Sequence, residues 1–382
     1  MAKPRYLFLS GQDVRNLRKT SVLFIAEQLR RHGSVRFLSV GYSEMSRLRQ
    51  DQRMRLDDRA NQVEDIDGIE AFLQKTPVHP FRLPLVDSWP MSRWWMERHA
   101  RSLPPAMRQW IVEADVIFLE TGLSLIYFSE IKRLNRDATV IYLASDMLST
   151  IGCSVHLETI LAEIASSLDL VVIRSSHLRS AFPEDATILL LPAATEPQRN
   201  DIATVSPYTH AVNAVSVGSM IFDADVFRTL CPRVPEVHFH VIGSGVPESR
   251  LAADNLTLYS EMAFAETRRY IDHADVGIAP YRFDASAAYL ADTSLKLVQF
   301  SAVGLPAVCP TFAQGTYPYR FGYTVGDGAS IEAAFRAALA CGRLPPIPAP
   351  TWRTVTDQIV SAINDLRTTP HHRLASQAFD TV

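Results

Sequence analysis

The chain has 382 residues, 47% of them hydrophobic, a mean hydropathy of +0.01 and a formal net charge of −3. That describes a soluble globular protein long enough for two domains with sizeable cores. No run of about 18 apolar residues is present to span a membrane. The four cysteines (Cys153, Cys231, Cys309, Cys341) show neither metal-ligand spacing nor a disulfide framework, which fits a reducing cytosol.

The N-terminus MAKPRYLFLSGQD runs straight into a strand over 6–10, without the apolar core and cleavage site of a signal peptide. A helix at 3.6-residue spacing over 21–31 and a strand over 35–40 make a βαβ start. Residues 1–60 carry 13 Lys and Arg against 6 acids. This local excess suggests an anionic partner, a lipid surface or a nucleic acid, or else a solvated basic face. Residues 47–59 read as a basic loop or exposed helix.

Residues 84–110 interleave Trp89, Trp94, Trp95 and Trp110 with Arg93, Arg98, Arg101 and Arg108. Each type has an apolar body and a polar tip, which suits a headgroup boundary, while a helix with its tryptophans in the core suits the same residues. Strands are expected over 116–120, 139–144, 168–174 and 188–191, mostly with helices between them. Strands apolar throughout and alternating with helices imply a parallel sheet covered on both faces, whose ligands sit past the carboxyl ends. Glu120 (FLETG) and Asp146 (YLASDMLST) occupy such ends. Asp146 is the better candidate for a general base, with capping of a nearby helix as the alternative.

Residues 192–207 have linker composition. A second α/β series begins at 211, in which Gly218-Ser219-Met220 and Gly243-Ser244-Gly245 are turns that let backbone approach a ligand closely. Asp223-Ala224-Asp225 has the form of a metal-binding D-x-D, but Asp223 as a helix cap accounts for it better. Next comes ADTSLKLVQFSAVGLPAV (291–308). Asp292, Thr293 and Ser294 can cap a helix with Leu295, Val298 and Ala302 near one face and Lys296 and Gln299 beside it, before Gly304 and Pro306 end it. It is either an ordinary packed helix or a seat for the diphosphate of a sugar nucleotide, met by free N–H groups, the helix dipole and an ammonium. An amphipathic helix over 351–366 (Val355, Ile359, Ile363, Leu366) can cross back onto the first domain.

VHPF (78–81), the residues around Asp146, the AV-VGSM-FD pattern (214–223), FHVIGSG (239–245), YLADTSLKLVQ (289–299), GLPAVCP (304–310) and RFGYT (320–324) together resemble the GumK-like glucuronosyltransferases of xanthan-type exopolysaccharide assembly. The resemblance covers most of the chain. It implies a GT-B fold, α/β, of two Rossmann-like domains with parallel sheets facing a central cleft: 1–197 for the acceptor and 208–350 for the nucleotide sugar. It implies Asp146 as catalytic base. It also places Gly218, Ser219, Met220, Gly243, Glu261, Met262, Tyr281, Ser294, Leu295, Lys296 and Gln299 around UDP, with Leu295 standing where the family has a methionine. Asp13 and Glu120 fall on the acceptor side. The chain departs from the family at Gln12, Leu143 and Met147, on that side or beside the base.

The activity implied by the resemblance is inverting, metal-independent transfer from UDP-glucuronate to a polyprenyl-diphosphate-linked oligosaccharide. The enzyme would be peripheral at the cytoplasmic face of the bacterial inner membrane, held to an anionic surface through its first domain, with no cofactor. A UDP-sugar epimerase or a non-catalytic nucleotide-sugar binder has the same architecture. A nucleic-acid partner is not expected, because it leaves the UDP-type cleft without a purpose.

Overall fold

A computed structural model describes residues 3–49, 51–82, 85, 87–196 and 205–368. The chain divides into two units, Met1–Leu191 with Trp352–Val382, and Pro192–Thr351. Residues 197–204 of the expected linker and Pro84 of the tryptophan-rich segment lie outside the described residues.

The first unit contains, in order, β1 (Arg5–Ser10), α1 (Ser21–Leu29), β2 (Ser34–Ser43), β3 (Val63–Ile66), β4 (Ile69–Thr76), α2 (Pro90–Arg101), α3 (Pro105–Glu113), β5 (Val116–Glu120), α4 (Phe128–Leu134), β6 (Thr139–Ala144), α5 (Val155–Ile164), β7 (Leu170–Ile173) and β8 (Ile188–Leu190). Its eight strands run β3-β4-β2-β1-β5-β6-β7-β8, and only β3 is antiparallel to its neighbour. Phe8 on β1 stacks between Phe37 at 5.6 Å and Phe118 at 4.6 Å, which ties the three central strands together on one face. The β3–β4 hairpin is not among the elements expected from periodicity. Its signal is Asp67-Gly68, which takes φ of 52° and 82° between two alternating runs.

The second unit contains β9 (Asn213–Val217), α6 (Asp225–Arg233), β10 (His238–Ile242), β11 (Leu256–Tyr259), α7 (Phe264–His273), β12 (Val276–Ile278), α8 (Leu290–Thr293), α9 (Leu295–Ala302), β13 (Ala307–Pro310), α10 (Thr311–Gln314), β14 (Arg320–Tyr323) and α11 (Gly328–Cys341). Six parallel strands lie in the order β11-β10-β9-β12-β13-β14. The first and second units are thus both doubly wound, as strands alternating with helices require. Gly277 on β12 is where α9 meets the sheet: a Cβ there would lie 2.5 Å from the Phe300 ring. The buried face of α9 is Leu297, Phe300 and Ser301. Leu295, Val298 and Ala302, expected to share one face, are half-buried on the other side, near Lys296 and Gln299.

The last helix, α12 (Trp352–Thr368), belongs to the first unit. It buries Trp352, Val355, Ile359 and Ile363. Trp352 stacks on Phe24 of α1 at 5.0 Å, and Asp357 meets Arg31 at 3.1 Å and His32 at 2.9 Å.

Charge in the first unit is distributed otherwise than the residue counts imply. Arg5 pairs with Asp115, Arg15 with Asp13 and Glu64, Arg31 with Asp357, Arg36 with Glu70 and Glu113, and Arg59 with Glu64. Most of those acids lie beyond residue 60, so the folded chain neutralises much of the excess that a count over residues 1–60 shows. Arg53, within the supposedly exposed basic stretch, is buried and donates to the carbonyls of Val40 at 2.8 Å and Gly41 at 2.9 Å.

Candidate active site

In the first unit the chemistry gathers at the carboxyl ends of β1, β2, β5, β6 and β7. Asp146 sits in the loop after β6 and is half-buried. The Thr121 hydroxyl, at the end of β5, fixes that loop by donating to the Leu143 carbonyl at 3.0 Å and accepting from the Ser145 N–H at 2.9 Å. Asp146 caps no helix: the next, α5, is capped by Ser154, whose hydroxyl accepts from the His156 N–H at 3.3 Å.

Glu120 is buried, and the Ser10 hydroxyl donates to its carboxyl while accepting the Gln12 N–H at 2.8 Å. Burial pushes the Glu120 carboxyl up to about 7; Ser10 and the Arg174 charge draw it down, and Asp146 pushes it up. Asp13 has a different setting. Its oxygens accept from the Arg15 side chain at 2.7 Å and 2.8 Å and from the Ser39 hydroxyl at 2.7 Å. Burial raises its pKa, but the Arg15 bonds and charge outweigh that and hold it below the usual carboxylate range. Its carboxylate thus braces the loop after β1, with both oxygens engaged inside the protein.

In the second unit two groups form at the carboxyl ends of β9 to β12. The first contains the glycine turns. Gly218, Gly243 and Gly245 have φ of 85°, 62° and 71°. A Cβ on Gly243 would lie 3.1 Å from Glu261 Cγ, and one on Gly245 would lie 3.6 Å from Ser219 Cβ. The turns after β9, β10 and β11 therefore converge, bringing Gly218, Ser219, Gly243 and Glu261 together; Met262 follows Glu261, half-buried. Ile221, just after Met220, takes φ of 35°, an uncommon conformation for a β-branched residue.

The second group is Tyr281, Ser294 and Lys296. Ser294 is the N-cap of α9: its hydroxyl accepts from the Leu297 N–H at 3.3 Å and lies 2.6 Å from the Tyr281 hydroxyl. Lys296 Nζ stands 5.0 Å above the Tyr281 ring. A backbone link joins the two groups, because the Arg282 N–H donates to the Ile221 carbonyl at 2.8 Å and Phe222 bridges Tyr281. The capped terminus thus brings together a hydroxyl pair, a lysine and the positive end of a helix dipole, an arrangement suited to an anion. Leu295 and Gln299 are half-buried on the same helix.

Asp223 accepts from the Asp225 N–H at 3.0 Å at the start of α6, which engages one arm of the D-x-D pattern with the helix terminus. Among the described residues no group of three or more His, Cys, Asp or Glu could hold a metal ion.

Two arginines escaped the sequence reading. Arg174, directly after β7, is buried with its guanidinium 4.9 Å over the Trp352 ring. Arg320 on β14 is buried, donates to the carbonyls of Ala291 and Ala313, and lies 3.8 Å over the Tyr317 ring. It thereby braces the turn that leads into Ser294. An arginine at the end of an apolar strand was the available signal in both cases, since such a cation is kept only where something offsets its burial.

Two doubly wound units with polar sites at their strand ends are the architecture of the GT-B fold. Solved structures share this fold. Sucrose-phosphate synthase from Thermosynechococcus elongatus matches with a TM-score of 0.64 at 11% identity, over 96% of this chain and 100% of that one. HepE of Anabaena, in complex with UDP and glucose, matches at 0.59 and 14% identity, over 94% and 99%. Residues 8–174 match the family model described as glucuronosyltransferase GumK, N-terminal domain. The chain is also 37% identical over 377 residues to the UDP-glucuronate:glycolipid 2-beta-glucuronosyltransferase of Xanthomonas campestris pv. campestris, covering 97% of this chain and 93% of that protein. The chain belongs to the GumK glucuronosyltransferase family.

Proposed function

We propose that this protein transfers glucuronate from UDP-glucuronate to a hydroxyl of a polyprenyl-diphosphate-linked oligosaccharide, with inversion at the anomeric carbon, in exopolysaccharide assembly. The donor and a glycolipid acceptor are the substrates in the name of the Xanthomonas relative. The observation that carries the reading is the capped N-terminus of α9, with Tyr281 and Lys296 beside it.

The second unit holds the donor, with its diphosphate on Ser294, Lys296 and the start of α9 and its nucleotide along the glycine turns and Glu261. The first unit supplies the base. Asp146 takes the acceptor hydroxyl proton as that oxygen bonds to the anomeric carbon, and the bond from that carbon to the diphosphate oxygen breaks. The departing UDP gains negative charge, which the lysine and the helix dipole offset where it develops. No metal is needed in this scheme, because those two groups meet the diphosphate charge.

The acceptor is lipid-borne, and the apolar surface of the first unit suits a peripheral seat on an anionic cytoplasmic leaflet of the inner membrane. Leu85, Trp89, Met91 and Trp94 are exposed, with Arg98 5.7 Å from the Trp94 ring. No helix among the described residues is long and apolar enough to cross a membrane.

The test is UDP release from a panel of UDP-sugars, with and without lipid-linked oligosaccharide, on wild type and Asp146→Asn. Acceptor-dependent release from UDP-glucuronate is expected, falling by roughly 10²–10⁴-fold in the variant while UDP affinity holds. Near-normal transfer by Asp146→Asn sinks the mechanism, and preference for another UDP-sugar sinks the donor assignment.

A further inference from the structure

We propose that Glu120 and Arg174 are positioning residues that keep Asp146 in its ionised, proton-accepting form, the three side chains making one charge cluster at adjacent strand ends. The inference rests on the reading of Asp146 as base.

Strand register places the three groups side by side. Glu120 pairs with Leu143 across β5–β6, and Ala144 pairs with Ile173 across β6–β7. Arg174, one residue past Ile173, and Asp146, two past Ala144, therefore leave neighbouring strand ends two and three residues beyond the level of Glu120. Arg174 is 6% exposed, its guanidinium lies over the Trp352 ring, and its Nη1 has no hydrogen-bond partner among the described residues. A cation so placed is stabilised by opposite charge close by, and the charged neighbours it is coupled to are Asp146 and Glu120.

One cation against two carboxyls balances when a single carboxyl is ionised. Asp146 is only half-buried, whereas Glu120 is buried and hydrogen-bonded to Ser10. The proton therefore stays on Glu120 and the charge on Asp146. Burial draws the Arg174 guanidinium down to about 10, still cationic at neutral pH, and pushes Glu120 up to about 7. The other groups facing the cluster are Tyr142 on β6 and Cys153 in the loop between β6 and α5. Burial raises both, Cys153 to about 11, so neither contributes charge near neutrality. Ser10 on β1 and Trp352 on α12 complete the surround without charge. As pH rises past 7 the shared proton leaves and the pair titrates as a unit.

The test is the pH profile of kcat/KM with UDP-glucuronate and a lipid-linked oligosaccharide, on the full chain. Variants are Glu120→Gln, Arg174→Gln and Arg174→Lys, with UDP affinity measured alongside. Wild type is expected to show an ionisation near pH 7 in addition to the acid limb of Asp146. Glu120→Gln removes the former. Arg174→Gln moves the acid limb up by about one unit or more, and Arg174→Lys restores most of it. UDP affinity stays within about twofold throughout, a pattern that general loosening of the fold does not produce. Profiles of all variants superimposable on wild type after scaling overturn the cluster. Should Arg174→Gln lose its cooperative melt, Glu120→Gln decides: an unchanged profile is refutation. An active Asp146→Asn removes the base and the cluster together, whereas an inactive one beside unmoved profiles removes only the cluster.

Discussion

Replacing Ser294 with alanine strikes the donor seat at one atom. The hydroxyl caps α9 at Leu297 and meets the buried Tyr281 hydroxyl at 2.6 Å. Loss of an N-cap costs about 1 kcal/mol, and loss of the hydrogen bond to Tyr281 about 1 kcal/mol more, giving about 2 kcal/mol for Ser294→Ala. Tyr281→Phe removes the other partner but keeps the cap, so it costs only the net worth of one hydrogen bond, about 1 kcal/mol. In the double variant the shared bond is lost only once. Its cost should fall short of the sum of the singles by at least about 1 kcal/mol. All five tryptophans (Trp89, Trp94, Trp95, Trp110, Trp352) lie in the first unit, so their fluorescence does not report on this event. Hydrogen exchange of a peptide spanning residues 290–303 does, with UDP affinity by calorimetry as the functional counterpart. Additivity within about 0.5 kcal/mol would falsify the coupling and with it the idea that the two hydroxyls act as one support for the diphosphate.

Lys296→Ala should weaken UDP binding by roughly ten- to a hundredfold, the worth of a charge-assisted hydrogen bond, without changing the melt of the first unit; calorimetry that finds equal affinity contradicts the assignment. His99 and His240 are buried, and burial lowers them to about 4 and about 3, the neighbouring His238 and His210 adding to the fall for His240. Because both folded values lie below the unfolded one of about 6.5, the stability of the neutral forms is complete above that pH and is lost as pH falls toward 4 and 3. At pH 5 the loss is about 2 kcal/mol per histidine. Denaturation monitored by tryptophan fluorescence at pH 7 and pH 5 should therefore show a smaller loss in His99→Phe than in wild type, and equal losses contradict the argument. Trp89→Ser with Trp94→Ser should reduce flotation with anionic vesicles while leaving UDP affinity intact; unchanged flotation moves membrane contact elsewhere on the chain.

Local patterns made much of the architecture readable before any tertiary information. Apolar runs such as VIFLE and HFHVI alternate with helical stretches, and a run polar at neither face has to be covered on both, which dictates a parallel sheet. The same logic reached Asp146 and Glu120, because a carboxylate at the end of such a strand lies where these sheets leave a crevice. It also reached Ser294 and Lys296, because capping is a contact between near neighbours in the chain. The four tryptophans of residues 84–110 were not resolvable by that means. In the folded chain Trp89 and Trp94 are exposed, while Trp110 is buried against Phe72 and beneath Arg36. Composition within one amphipathic segment cannot say which side meets a neighbour.

Charge is where the linear view misled. The surplus over residues 1–60 counts arginines whose partners, Glu64, Glu70, Glu113, Asp115 and Asp357, are distant along the chain and adjacent only once β1 and β2 have met β3, β4, α3, β5 and α12. Asp13, an acceptor-side candidate, is held by Arg15 and by Ser39, the latter on another strand. Arg174 and Arg320 went unnoticed for the converse reason: nothing beside them in the chain marks them, and their settings are built by Trp352 and Tyr317 arriving from elsewhere. Periodicity and capping depend on residues a few positions apart, so the amino-acid order alone determined the strands, the helices and which chain ends carry polar groups. Pairing of charges and burial of a cation depend on segments brought close by folding, and only the tertiary structure decided those.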